Sequence, residues 1–274
     1  MSSTRALPFL LVLGLAIPAL PASAQPVSLV PKWELEIGSW FTTTETNIRA
    51  DRAVGDLGTE FDVEDVLGLD DSETVLRLSL ARRLGRRHQL RLRHSEFSRQ
   101  GQRTIPVEID FQDTTFPVNV VIATEWDFTF TDLGYTWFFS LDDDTAWGLG
   151  LAVANWDFDI ALSASLAGTP GDLREEVRID ELVPEVGLSL RQRLGEKLIF
   201  RAGVSGLTAE VDEDTIDVLS AVLRLDYRLF RNAGIAVAAL YSEVEYDAAG
   251  AGDFIGRYEY TVSGVQVFVP LTFD

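Results

Sequence analysis

The sequence predicts an all-β fold, an antiparallel up-and-down barrel of about ten strands. Apolar and polar residues alternate with a period of two along almost the whole chain, as in strands whose two faces differ. The 3.6-residue period of amphipathic helices is hard to find. The connections between the alternating segments are mostly long at one end of the predicted sheet and short at the other.

Ten alternating segments are predicted strands, and an even number allows both termini to lie at one end of a barrel. In chain order they are residues 33–44, 73–84, 88–99, 121–141, 145–163, 177–194, 198–211, 216–230, 233–246 and 258–273. The long connections are 45–72, 100–120, 164–176 and 247–257, with a short exception at 212–215. The tight turns are Gly85-Arg86-Arg87, Asp142-Asp143-Asp144, Gly195-Glu196-Lys197 and Arg231-Asn232. Long loops at one end and short turns at the other are the plan of an outer-membrane barrel.

The first residues are predicted to be a secretory signal rather than part of the fold. Arg5 supplies a positive start, residues 6–20 an apolar segment, and Ala22-Ser23-Ala24 a cleavage site before Gln25. This apolar segment is shorter than the ~20 residues of a membrane-spanning helix. We therefore expect residues 1–24 to be removed and residues 25–274 to form one exported barrel domain.

Composition excludes several classes of function. The chain has no cysteine, so it has neither a disulfide framework nor a lipidated cysteine. Its formal net charge of -20 disfavours nucleic acid, whose binding requires basic side chains to neutralise phosphates. After the signal, no apolar run reaches the length of a transmembrane helix, so any membrane role must use strands.

This pattern resembles the small outer-membrane β-barrels of Gram-negative bacteria, OmpA/OmpW-like in the broad sense, over essentially the whole mature chain. Residues 58–69, which read GTEFDVEDVLGL, and the arginine-rich hairpin after them also look like a segment of uncharacterised barrels of this type. The resemblance implies a location in the outer membrane, contact with its lipid and lipopolysaccharide, and insertion by the barrel-assembly machinery. Such barrels usually end on an aromatic residue that this machinery reads, whereas here Asp274 follows Phe273.

The hairpin of residues 76–94 shows which face is expected to be wet. Leu76, Leu78 and Leu80 alternate with polar or small residues, and in a membrane barrel the apolar set faces lipid while the polar set faces the lumen. We expect girdles of aromatic residues above and below this aliphatic band. The girdle at the turn end comprises Trp33, Trp137, Phe138, Trp147, Tyr227, Phe230 and Phe273; the girdle at the loop end comprises Trp40, Phe41, Phe97, Trp126, Phe128, Trp156, Phe158, Tyr241 and Tyr258.

The polar face is predicted to carry a lumenal network of ion pairs. Its members are Glu34, Glu36, Arg77, Arg91, Arg93, Glu125, Asp127, Glu185, Arg191, Arg193, Arg201, Arg224, Asp226 and Arg228. Arginine suits such a confined site because its planar guanidinium pairs with carboxylates through two hydrogen bonds. If the tight turn pairs Leu84 with His88, Arg91 lies opposite Ala81 and Arg93 opposite Ser79, so that large side chains meet small ones.

The surplus negative charge falls in the loops. Between residues 45 and 72 lie Glu45, Asp51, Asp56, Glu60, Asp62, Glu64, Asp65, Asp70 and Asp71, against Arg49 and Arg52. These acids suggest a divalent-cation site or an association with lipopolysaccharide through bridging ions, or simply a solvated loop. The EF-hand spacing is missing, and neither a metal nor a cofactor is predicted.

The catalytic inventory is small, and the chain is not predicted to be an enzyme. The only histidines are His88, beside a turn, and His94. His94, Glu96 and Ser98 share the face toward lipid, but His94 and Ser98 are about 13 Å apart at ~3.3 Å per residue, so a hydrolase would need a serine from another strand. The omptin proteases, another ten-stranded family, use a histidine near the outer rim, for which this chain has no matching position.

Four functions stay open at this point. The first is an outer-membrane barrel with a structural or surface-interaction role, its lumen largely filled by the charged network. The second is a narrow pore or carrier for small solutes; about ten strands are far fewer than the 16 to 18 that leave an aqueous channel. The third is a hydrolase of outer-leaflet lipid A that uses His94. The fourth is a soluble exported barrel with its apolar face inside.

Overall fold

The computed structural model describes residues 28–52, 57–165, 172–211, 214–249 and 254–274, so the predicted signal lies outside the described residues. The long strands are β1 (Trp33–Ala50), β3 (Ser72–Leu84), β4 (His88–Thr104), β7 (Val121–Leu141), β8 (Thr145–Ser165), β9 (Asp172–Arg193), β10 (Leu198–Val211), β11 (Asp214–Arg228), β12 (Gly234–Ala248) and β13 (Gly256–Phe273). Shorter elements are β2 (Phe61–Asp62), α1 (Val63–Leu67), β5 (Ile109–Phe111) and β6 (Thr114–Phe116). The described helix is too short to cross a membrane.

The long strands form one closed antiparallel barrel. Each pairs with the next long strand along the chain, and β13 returns to pair with β1 from Trp33↔Phe273 to Ala50↔Gly256. The predicted fold class and all ten predicted strands are confirmed. Several strands extend further toward the loops than expected: β1 runs to Ala50 and β4 to Thr104. A strand needs only about 9–11 residues to cross a bilayer, so the barrel extends beyond any membrane.

An apolar belt surrounds the half of the barrel near the turns. It consists of outward residues such as Leu76, Leu78 and Leu80 of β3, Leu149 and Leu151 of β8, Leu223 and Leu225 of β11, and Val265, Val267 and Val269 of β13. Leu76 is 59% exposed, whereas Arg77 beside it is 7% exposed and faces the lumen. The hairpin register is as predicted, with Arg91 opposite Ala81 and Arg93 opposite Ser79. The leucines therefore face lipid and the arginines face inward.

In the half near the loops, the same strands reverse this chemistry. On β8 the apolar residues are outward from Trp147 to Val153 but inward at Phe158, Ile160 and Leu162. The phase of the apolar alternation thus shifts by one residue along the strand, while the backbone keeps its pleat. The interior of this half is an apolar core, as in a water-soluble barrel, because its outer wall faces water.

This reversal corrects the predicted girdle at the loop end. Most of its rings lie inside and form an aromatic cluster that comprises Trp40, Phe97, Trp126, Phe128, Trp156, Phe158, Tyr258 and Tyr260. Phe41 and Tyr241 are exposed on the exterior as expected. At the turn end Trp137, Trp147, Tyr227, Phe230 and Phe273 are exposed, whereas Phe138 is buried inside.

Two connections fold inward over the aromatic cluster and form a cap. One contains α1, whose Val63 and Leu67 are buried, and the other contains the hairpin of β5 and β6, whose Phe111 and Phe116 are buried. The helix begins at Asp62, whose carboxylate accepts the N–H of Asp65, and ends at Gly68 with φ 73°, a left-handed cap that favours glycine. The predicted loops are therefore partly ordered and packed inside the barrel mouth.

Candidate functional site

A group of five charged side chains lies inside the barrel near the turns. Glu34 and Glu36 come from β1, Arg201 from β10, and Arg224 and Asp226 from β11. Arg201 donates to Glu34 at 2.5 Å and lies 2.9 Å from Asp226. Arg224 donates to Glu36 at 2.5 Å and to Asp226 at 2.7 Å. Each carboxylate thus contacts a guanidinium, as burial of charge requires.

Two further arginines connect this group to the end with the turns. Arg191 donates to the carbonyl oxygen of Leu29 at 2.9 Å and to Gln89 at 2.6 Å, and it lies 3.8 Å from Glu34. Arg228 donates to the hydroxyl of Thr272. Leu29 and its neighbour Val30 pack with Phe138, Ala146 and Ile199, so the N-terminal segment covers the charged group from below.

A second charged group lies higher in the lumen, just below the aromatic cluster. It contains Arg77, Arg91 and Arg93 with the carboxylates of Asp132 and Glu185. Arg93 donates to Asp132, which is fully buried, and Arg91 lies 3.7 Å from the same carboxylate. Glu185 accepts a hydrogen bond of 3.0 Å from Ser205.

Two members of the predicted network, Glu125 and Asp127, lie elsewhere, and their lumenal position is corrected. Glu125 and Asp127 are exposed on the exterior of β7, because the neighbouring Trp126 points inward. The acid that β7 contributes to the lumen is Asp132, which the sequence reasoning missed. Arg193 lies at a turn, where it contacts the carboxylate of Asp144 at 3.3 Å and donates to the carbonyl oxygen of Asp143.

The sequence reasoning also missed an ion pair that holds the cap. Arg99 of β4 is buried over the ring of Trp126, 4.0 Å from its centroid, and donates to Glu64 of α1 at 2.5 Å. Glu64 in turn accepts the N–H of Thr46 at 2.8 Å. Glu64 is one of the acids of the predicted acidic loop, so part of that loop's charge is neutralised inside the barrel.

The described residues contain one group of carboxylates close enough to share a metal ion, formed by Glu34, Glu36 and Asp226. Their oxygens lie within 4.8 Å of one another. The same oxygens contact Arg201 and Arg224, whose positive charges take the place of a cation. The divalent-cation site suggested for residues 45–72 has no such group among the described residues, and Asp56 lies outside them.

Between the second charged group and the aromatic cluster lies a cavity of about 200 Å³. Its floor includes Arg77, Arg91 and Arg93, and its roof includes Trp40 and Trp156. Its wall on β8 to β12 consists mainly of small residues; Gly150, Ala152, Gly187, Gly203, Ser205 and Ser220 are among them. Because these side chains are short, the lumen is unfilled at this height.

His94 lies on the exterior within the apolar belt. Its Nδ1 is 2.8 Å from the hydroxyl of Thr131, and its Nε2 is 3.1 Å from the carboxylate of Glu96. The structure thus brings a threonine from the neighbouring strand, rather than a serine, to this histidine. His88 lies beside its turn, 2.6 Å from the hydroxyl of Tyr135.

No family model and no curated protein matches the chain. Among solved structures, it is similar to the outer membrane protease OmpT from Escherichia coli, with a TM-score of 0.56, 10% identity, and coverage of 93% of this chain and 99% of that one. The translocator domain of the autotransporter NalP from Neisseria meningitidis gives a TM-score of 0.46, 13% identity, and coverage of 88% and 89%. The P. putida toluene transporter TodX gives 0.38, 8%, 88% and 90%. The likeness to OmpT shows the fold alone.

Proposed function

We propose that this small outer-membrane β-barrel, which lies in the Gram-negative outer membrane with its apolar belt in the lipid, has a structural and surface-interaction role and does not conduct ions. The observation that carries the proposal is the occupation of the lumen at both ends. A ten-stranded barrel is narrow, so inward side chains and two folded connections suffice to close it at both ends.

At the end with the loops, the fill is apolar. The cap and the aromatic cluster interdigitate, and the rings of Phe158 and Tyr258 approach to 4.6 Å between centroids. An apolar constriction of this kind excludes ions because it cannot hydrate them. Arg99 and Glu64 hold the cap in place through their buried ion pair.

At the end with the turns, the fill is charged but paired. Arg201 and Arg224 bridge Glu34, Glu36 and Asp226 across the lumen, and Leu29 and Val30 cover them. A carrier or pore would need to break these contacts for each solute, so a closed barrel agrees better with the geometry than the narrow pore does.

Conductance in planar bilayers tests this proposal. The purified barrel should give no discrete current steps, whereas a variant with Arg99→Met alone, which leaves Glu64 buried without its partner and so loosens the cap, should give brief openings. Regular steps from the unmodified barrel would refute the closed lumen and favour the pore.

The wall above the belt supports the surface-interaction role. Its outward side chains are mostly acidic; they include Glu45, Glu125, Asp127, Asp157, Asp159, Asp180, Asp217, Glu243, Glu245 and Glu259, with Arg49, Arg174, Arg178 and Arg257 as the bases. This wall begins at the height of the head groups in the outer leaflet. Since lipopolysaccharide is also anionic, an association with it would require bridging divalent cations.

Binding of lipopolysaccharide to the barrel in detergent, with magnesium or with a chelator, tests this second step. Magnesium should strengthen binding, and Asp157→Asn with Asp159→Asn should weaken it. Asp143→Asn, at the opposite end of the barrel, is the matched control. Equal binding with and without magnesium would contradict the bridging role.

The contacts of His94 keep one alternative testable. A hydrolase of outer-leaflet lipid A would need His94 to activate a hydroxyl, and only Thr131 is placed to provide one in the described structure. We expect no such activity, because the hydroxyl beside His94 belongs to a threonine and not to the usual serine. Mass spectra of lipid A from cells with the unmodified barrel and with His94→Ala should be identical, and a mass difference of one acyl chain would revive the hydrolase.

A further inference from the structure

We infer that the cavity inside the barrel binds a small apolar molecule with one carboxylate, and that this molecule reaches the cavity from the outer leaflet between β9 and β10. This goes beyond the proposed envelope role because it gives the barrel a ligand. Three features carry the inference: the size and lining of the cavity, an arginine without a partner, and the incomplete pairing of two strands.

The cavity is large for the interior of a protein. Native interiors contain few voids larger than a water molecule. An engineered apolar cavity of about 150 Å³ accommodates benzene, and the cavity here measures about 200 Å³. It therefore has room for a compact organic molecule, such as one aromatic ring with a short side chain.

The two ends of the cavity differ in chemistry. The roof is aromatic, with Trp40 and Trp156 among its residues, while the floor presents the guanidinium groups of Arg77, Arg91 and Arg93. A ligand that fits both ends has an apolar body and an anionic head. A neutral hydrocarbon would leave the guanidinium groups of the floor without a hydrogen-bond acceptor. A polar anion would make no apolar contact with the aromatic roof.

Arg77 provides the specific contact for the head. It is only 7% exposed and lines the cavity, yet among the described residues it has no ion pair and no hydrogen bond. Its guanidinium carbon lies over the ring of Trp40, 5.7 Å from the ring centroid. Asp132 and Glu185 lie among the three arginines of the floor, and Glu36, which also acts electrostatically on them, is already paired with Arg224, which leaves one positive charge in excess.

An excess charge of this kind is costly to bury, and an anion relieves the cost. A carboxylate matches best, because its two oxygens accept two parallel hydrogen bonds from one guanidinium. The ligand class is therefore a small organic carboxylate with about one ring, whether it is dissolved in the leaflet or in the water outside.

The barrel wall has one incomplete seam beside this cavity. The pairing of β9 with β10 ends at Gly206↔Val186, although β9 continues along β8 to Asp172 and β10 continues along β11 to Val211. Pro184 lies just beyond the last pair and has no N–H to donate. Residues 207–211 of β10 thus have no β9 partner, and the seam opens directly above Gly187 and Ser205 of the cavity wall.

The seam opens at the upper edge of the apolar belt. Val186, Leu182 and Leu219 are exposed around it, while Asp180 and Asp217 follow on the side of the loops. A molecule dissolved in the outer leaflet can therefore approach the seam without crossing the charged wall. Since the cap and the N-terminal segment cover the two ends of the lumen, the seam is the shortest path to the cavity.

Quenching of tryptophan fluorescence tests binding, because a bromine atom beside Trp40 or Trp156 quenches their emission. The probes are para-bromophenylacetate, which is water-soluble, 4-(para-bromophenyl)butanoate, which dissolves better in lipid, and para-bromobenzyl alcohol as the neutral comparison. We expect saturable quenching by a carboxylate, and about tenfold to a hundredfold weaker binding in Arg77→Gln. Arg228→Gln, a lumenal arginine outside the cavity, is the matched control and should bind normally.

A second variant fills the cavity without changing its charge. A Cβ added at Gly150 meets no atom closer than 3.6 Å, so Gly150→Leu should fold and abolish saturable quenching. The heat-dependent shift in gel electrophoresis verifies that each variant is folded. Quenching that does not saturate, or that is equal for the acid and the alcohol, would overturn the carboxylate site.

The path is tested with cysteines, since the natural chain has none. Pro184→Cys with Thr208→Cys places a thiol on each side of the seam, and a short bifunctional cross-linker then joins β9 to β10. Cross-linking should slow the association of 4-(para-bromophenyl)butanoate in vesicles by about tenfold or more, because the two strands can then no longer separate. An unchanged rate would refute access through the seam, and slower binding of para-bromophenylacetate alone would assign the ligand to the water outside rather than to the leaflet.

Discussion

At the scale of single residues, the acids of β7 divide between the two faces of the barrel wall, with Asp127 outside and Asp132 inside. The polar residues Glu125 and Asp127 of this strand alternate with apolar ones, so their position inside was a reasonable prediction. They lie outside because the apolar phase shifts between Phe130 and Leu133. The same shift along the sequence places Asp132 on the inward face.

Asp132 and Asp127 therefore make a matched pair. Asp132→Asn should lower the free energy of unfolding by about 3 kcal/mol, because it leaves Arg93 and Arg91 without their shared buried carboxylate. Asp127→Asn, on the exposed exterior of the same strand, should change it by less than about 0.5 kcal/mol. Urea unfolding in lipid vesicles measures both values, and equal effects would contradict the assignment of the two faces.

The hairpin of β3 and β4 was predictable at the same scale, down to its register. The turn at Gly85 has φ 67°, which favours glycine, and it sets Leu84 opposite His88. Pairing of Arg77 with Ser95 follows from this one turn. The absence of a described partner for Arg77 did not follow, because it depends on side chains from distant strands.

At the scale of elements, the exterior of each strand is divided between belt and wall. On β3 the belt residue Leu78 faces lipid, while on β1 Thr43 faces outward above Phe41. Alternation alone could not separate a membrane barrel from a soluble one. The long strands have both arrangements along their length: their apolar residues face outward in the belt and inward near the loops.

The division between belt and wall predicts that a substitution to arginine has different costs at two heights. Leu78→Arg should cost about 2–4 kcal/mol, the cost of arginine near the middle of a bilayer, whereas Thr43→Arg should cost about 0–1 kcal/mol. Equilibrium folding into vesicles provides both numbers. A small cost for Leu78→Arg would mean that this face is not in lipid and would favour the soluble barrel.

The cap was outside the reach of sequence reasoning because its order depends on tertiary contacts. Residues 58–69 are too polar to suggest burial, yet Val63 and Leu67 pack on the interior of the barrel. The contact between Glu64 and Arg99 spans thirty-five residues of sequence, and local patterns do not indicate such pairs.

This contact predicts the stability of the cap. Arg99→Met should destabilise the cap locally by about 3 kcal/mol, because Glu64 stays buried without its partner. Arg257→Met removes an exposed arginine that contacts Glu245 and Glu259, and it should cost about 0–1 kcal/mol. Hydrogen exchange of residues 61–69 measures the difference, and equal protection in both variants would contradict the role of the pair.

At the scale of the whole molecule, the barrel combines two structures in one set of strands. The half near the turns has lipid outside and charge inside, and the half near the loops has water outside and an apolar core inside. The closed barrel, its strands and the outward leucines were predictable from the period of alternation. The contents of the upper half were not, because period alone does not report which solvent surrounds a strand.

The apolar belt also sets the hydrophobic thickness that this barrel matches. On β11 it extends from Leu219 to Tyr227, which spans about 20 Å for ~3.3 Å per residue and a tilt of ~40°. This is less than the ~25 Å apolar band usual for such barrels, and a thicker bilayer would immerse the carboxylates of the wall.

We therefore expect the barrel to fold more completely into vesicles of dilauroyl lipids than into those of dioleoyl lipids, measured by its heat-dependent gel shift. Equal yields in the two would show that mismatch has no effect. Because outward carboxylates follow the belt on several strands, as Asp127 does on β7, Asp157 on β8 and Asp217 on β11, the molecule cannot relieve the mismatch by sinking, and so its depth in the membrane is fixed by its own chemistry.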